Sequence, residues 1–133
     1  MTREEKDLLL KDLCARLPYE VIVECSIKSG ESIDLVLSAS HIDELVNDSL
    51  IVKPYLRPMS GMTEDEKDEI ACIRDRDFQT VRKWVHNESI KETGNIYPVT
   101  YGEIDFCNKK HLDYRGLIPM GLAIEAPEGM YKN

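Results

Sequence analysis

Three histidines, at 41, 86 and 111, and four cysteines, at 14, 25, 72 and 107, are the side chains best suited to nucleophilic or metal chemistry. Cys107 and His111 stand four apart, a spacing that puts a thiol and an imidazole on one face of a helix. Two ligands do not make a metal centre: structural zinc takes four protein ligands and catalytic zinc usually three. A packing cysteine, and a histidine near the negative end of its helix, is the plainer reading. No G-x-S-x-G, P-loop, G-x-G-x-x-G or H-E-x-x-H occurs. Glu103, Asp105 and Asp113 could serve as acids or bases, but among 25 acidic residues adjacency in sequence singles out none. No catalytic residue, metal or cofactor is therefore assigned. A small enzyme using Cys107, His111 or the acids is the alternative to a non-enzymatic module.

Side chains suited to binding are easier to name. Asp113, Tyr114 and Arg115 precede Gly116, where the acid and the arginine could pair across a turn around the tyrosine. Trp84 sits in an apolar helical stripe, with Tyr97 and Tyr101 following, and reads as core unless it is exposed. Tyr55 and Arg57 lie between Pro54 and Pro58. Those prolines are four apart, not the three of a PxxP ligand. The six candidate binding residues are thus Tyr55, Arg57, Trp84, Asp113, Tyr114 and Arg115.

Charge narrows the partner class. The net charge is −8 over 133 residues, whereas sequence-independent nucleic-acid binding requires basic surface. Free DNA or RNA is not expected, unless Lys28, Lys53, Arg57, Arg82, Lys83, Lys109, Lys110 and Arg115 gather on one face. A partner protein is expected instead; the oligomeric state is open. The opening MTREEKD carries no secretory apolar region and no run is long enough to span a membrane. The expectation is a cytoplasmic chain with unpaired thiols and no CxxC site. A length of 133 residues and 42% hydrophobic content predict one domain with a core of its own.

These residues must be positioned by a small set of elements. Thr2 and Glu5 form a capping box that opens a helix, whose apolar stripe of Leu9 or Leu10, Leu13, Cys14 and Leu17 ends at Pro18. Residues 19–27 alternate, Gly30 suits a hairpin turn, and residues 32–39 return with Ile33, Leu35 and Leu37 on one face. Residues 40–48 fit either a helical turn or an irregular edge strand. A strand over residues 50–53 is predicted to stop at Pro54, leaving 54–58 as a stiff connector pinned by Tyr55, Leu56 and Met59. Thr63 and Glu66 cap a second helical region, split near residues 75–77 into segments 64–74 and 77–90. Thr100 and Glu103 cap a last helix over 101–111, and the glycine-punctuated tail lies extended on the core with a short strand at 121–124. The fold class is α+β: a small antiparallel meander of three or four strands against an N-terminal helix and two to three further helices.

LLLKDLCARLPY at 8–19, VKPYLRPMSGMTEDE at 52–66 and LDYRGLIPMGLAIEAPEGMY at 112–131 resemble stretches of a group of short uncharacterised proteins of gut Bacteroides and their prophages or mobile elements. The resemblance implies a bacterial, cytoplasmic, phage-linked setting and carries no activity. The reading it leaves is a protein-interaction or accessory module.

Overall fold

The computed structural model describes residues 1–27, 29–78 and 100–131. It divides into two compact units, one built from residues 1–56 and 115–133 and the other from residues 57–114.

The larger unit begins with α1 (Arg3–Arg16). Glu5 N–H donates to the Thr2 hydroxyl at 3.1 Å and Thr2 N–H to the Glu5 carboxylate at 2.8 Å. Both satisfy donors that a helix start leaves open. Leu9 and Leu13 point from α1 into the core, where they meet Val21, Val23, Cys25, Leu37, Leu45, Val52, Leu56, Leu117, Leu122 and Ala123. Cys14, expected in that stripe, is exposed. Leu17–Tyr19 tighten into a 3-10 turn around Pro18, since the proline ring cannot continue the α-helix.

β1 (Ile22–Ser26) and β2 (Ser32–Val36) form the expected hairpin. Gly30 takes φ +97° and donates its N–H to the Ile27 carbonyl at 2.9 Å. That backbone geometry strains any side-chain-bearing residue. Residues left open between helix and strand form α2 (Ala39–Val46), with Ser38 as its N-cap and His41 Nδ1 accepting the Ser38 N–H at 3.1 Å.

β3 (Ile51–Pro58) corrects the stop expected at Pro54: the strand runs straight through it. β3 pairs antiparallel with β1, Val23 opposite Pro54 and Cys25 opposite Val52. Leu37 and Ile27 donate to Val21 and Glu31 across the hairpin, so odd-numbered β1 residues bond toward β2 and even-numbered ones toward β3. Pro54 therefore turns its nitrogen away from β1. On that other side β5 (Ile124–Glu125) joins in parallel only from Tyr55 onward. The missing donor costs no ladder bond at this position.

The α+β class holds, but the strands do not run as a sequential meander. β1 lies between β2 and β3, and the pairing of β3 with β5 makes the sheet mixed. β2, α2 and β3 thus form a crossover that skips over one strand. The tail supplies buried Leu117, Leu122 and Ala123 as expected, with its strand at 124–125 instead of 121–124.

The smaller unit holds the end of β3, a 3-10 turn (Met59–Gly61), α3 (Glu64–Phe78), α4 (Tyr101–Lys109) and β4 (Leu112–Asp113). β4 pairs in parallel with β3, Arg57 opposite Leu112 and Pro58 opposite Asp113. Met62, Ile70, Phe106, Cys107 and Leu112 form its core. α3 continues through residues 75–77, where a break was expected; Asp75 and Arg76 face solvent and so do not interrupt the apolar stripe. The second predicted segment, residues 77–90, lies almost wholly outside the described residues.

Both helices of this unit start with capping boxes whose glutamate also takes an arginine. Glu66 N–H donates to the Thr63 hydroxyl at 3.1 Å, Thr63 N–H to Glu66 at 2.9 Å, and Arg57 grips the same carboxylate through two bonds of 2.8 and 2.6 Å. Glu103 repeats the pattern with Thr100 and with Arg74, whose Nη2 lies 2.6 Å away.

Candidate functional site

The inner-face residues of β2 fail to reach the core. Alternation puts Ile33 and Leu35 on one face, and the register places them in line with buried residues: Ile33 opposite Cys25, Leu35 opposite Val23. Yet Ile33 is 59% and Leu35 37% exposed. Val36, on the opposite face, is 54% exposed, and Ile27 beside the turn is also exposed. The apolar sheet face runs past its helical cover and ends in solvent. An exposed apolar strand of this kind is a template for another chain.

The backbone of β2 is as open as its side chains. Since the odd-numbered residues bond inward to β1, Ser32, Asp34 and Val36 turn their N–H and C=O groups outward. No described strand pairs with that edge. On the outer face the register lines up Asp34, Glu24 and Lys53 across three strands. Lys53 lies opposite Glu24 and places a cation in that row, while Asp34 ends it at the free edge. Asp34 Oδ1 accepts a 2.9 Å hydrogen bond from the Tyr55 hydroxyl.

The residues singled out from sequence have structural surroundings. Tyr55 is 8% exposed, and its phenol is pushed up to about 12 by burial first and by the Asp34 bond second. Arg57 is held on Glu66, with further bonds to the Lys110 carbonyl at 3.2 Å and the Gly61 carbonyl at 3.3 Å. The paired carboxylate raises its basicity, and the guanidinium in turn lowers that of Glu66. Asp113 is buried in β4, and Tyr114 packs on the core of the smaller unit. Arg115 reaches Asp12 in α1 at 3.3 Å, where the fully buried Arg16 already bonds at 2.8 Å. Trp84 lies outside the described residues, as do Lys28, Arg82 and Lys83. With Arg57 on Glu66 and Arg115 on Asp12, two of the cations a nucleic-acid face would need are engaged with carboxylates.

Cys107 is fully buried, and none of the four cysteines is in a disulfide. Among the described residues no three His, Cys, Asp or Glu side chains converge as metal ligands. A cleft of about 610 Å³ in the larger unit is lined by Glu5, Lys6, Asp48 and Lys53 above Leu9 and Val52, with no histidine or cysteine. Lys6 is tied there to Asp48 at 2.7 Å. Among the described residues no helix is long and apolar enough to cross a membrane.

The site residues Ile33, Asp34, Leu35 and Val36 were not among the sequence candidates. The available signal was an aspartate inside an otherwise apolar run, Ser32-Ile33-Asp34-Leu35-Val36-Leu37. Comparison with family models, curated proteins and solved structures finds no match to this chain.

Proposed function

We propose that this chain is a non-enzymatic interaction module that binds an extended segment of another protein as an added strand along β2. The observation that carries the reading is the exposure of Ile33 and Leu35 in register with buried core residues. Strand addition supplies main-chain bonds for affinity and alternate side-chain positions for selectivity. An accessory role in a phage or mobile-element setting is part of the proposal and rests on the resemblance at residues 8–19, 52–66 and 112–131.

The test is a random ten-residue peptide library displayed on phage and panned against the full chain. Enriched peptides are remade synthetically and titrated against wild type and Val36→Pro. The outward Val36 N–H is not used by β1, so proline there blocks an added strand while sparing the hairpin. Expected is loss of binding by at least about tenfold, the cost of one or two lost main-chain bonds. Unchanged binding by a folded Val36→Pro overturns the reading. Ser32→Pro gives the same test at the next outward position but one, should Val36→Pro unfold.

A further inference from the structure

We infer that the strand taken by β2 carries a lysine or arginine flanked on both sides by apolar residues, with the cation opposite Asp34. The inference rests on the strand-addition reading and adds the partner's chemistry to it. Residues opposite one another in neighbouring strands share a face, so the rows already present extend outward. The inner-face rows are Ile33–Cys25–Val52 and Leu35–Val23–Pro54, and both are apolar. An added strand continues them with apolar side chains at alternate positions. Between them runs the outer-face row Asp34–Glu24–Lys53, which is anionic at the free edge. The next position in that row faces a carboxylate, which a cation complements in charge as well as in hydrogen bonding. Glu31 beside the turn and the net charge of −8 set the same preference at longer range.

The same geometry disfavours a second copy of this chain. Two copies of β2 paired about a two-fold axis engage all the outward groups of Ser32, Asp34 and Val36 only in the register centred on Asp34. That register sets Asp34 against its own copy, and like charges directly opposite are destabilising. The bound segment is therefore one of another protein, cationic at its centre.

The library is panned in parallel against wild type and Asp34→Lys. Wild type is expected to enrich apolar–Lys/Arg–apolar triplets, and Asp34→Lys apolar–Asp/Glu–apolar triplets. In titration, exchanging Lys for Glu in the centre of an enriched peptide weakens binding to wild type about two- to fivefold and strengthens binding to Asp34→Lys. The same central preference for both proteins overturns the inferred register while the proline variants judge strand addition separately. A concentration-dependent dimer in sedimentation that Val36→Pro abolishes overturns it in favour of a second copy. Asp34→Asn, which keeps an acceptor for Tyr55, replaces Asp34→Lys if the latter unfolds; it is expected to enrich no central charge.

Discussion

The Tyr131 hydroxyl donates to the Tyr55 carbonyl at 2.7 Å and accepts the Ile22 N–H at 2.9 Å. Ile22 and Tyr55 are the next pair in the β1–β3 register after Val23 and Pro54. A side chain 109 positions from Ile22 thus occupies the rung where the two strands would bond directly. β3 leaves β1 at that point and continues beside β5.

Tyr131→Phe removes one oxygen and takes the partner from a part-buried donor and a part-buried acceptor. Expected is a loss of about 1–2 kcal/mol, read as a lower urea midpoint with unchanged slope. No change would mean that water replaces the hydroxyl without cost and that the rung is not closed by this residue.

Leu13 is fully buried in α1 among the strands it covers. Leu13→Ala is expected to destabilise the fold by about 2–5 kcal/mol. An unaltered melting curve would detach α1 from the core.

Glu66 has its acidity increased by Arg57 first, then by the Thr63 backbone. Its folded pKa lies below the unfolded one, so its contribution is present at neutral pH and is lost as pH falls through the lowered value. Glu66→Gln should cost about 3 kcal/mol at neutral pH, where it breaks a mostly buried pair. The gap between variant and wild type should close in urea melts as the pH drops below the ordinary carboxylate range. A gap independent of pH would contradict the pairing.

Tyr55 and Tyr131 are each pushed up to about 12, in both cases chiefly by burial. A phenol with a raised folded pKa stabilises below its unfolded value near 10, and that contribution is lost as pH rises through the folded value. Ultraviolet titration of the native protein should leave these two of the six tyrosines unionised at about pH 11. Asp34→Asn should lower the Tyr55 value, since the Asp34 bond and charge both raise it. Full ionisation of every tyrosine near pH 10 would place both rings in water.

Local signals were legible in the residues. Three capping boxes, at Thr2, Thr63 and Thr100, each form with the expected glutamate, because the donor and acceptor sit three residues apart and need nothing else. Gly30 marked its turn for the same reason. Pro54 misled, since whether a missing N–H matters depends on which side of the strand has a neighbour, and that neighbour is β5, far along the chain. Asp12, Arg16 and Arg115 could not be paired from sequence: a charge in an apolar helix stripe is ambiguous until a partner 103 residues away arrives. The β2 edge was hidden by its own regularity. Alternation reports which residues share a face and is silent on whether anything covers it.

The larger unit is assembled from two segments far apart in the sequence, residues 1–56 and 115–133. Its opening hairpin and first helix leave the ribosome long before β5 and Tyr131 exist to complete them. Until then the nascent sheet shows raw edges on both flanks, beside β2 and along the later half of β3. Such late, long-range closure favours slow folding, and only the β3 flank is sealed once residue 131 has been made.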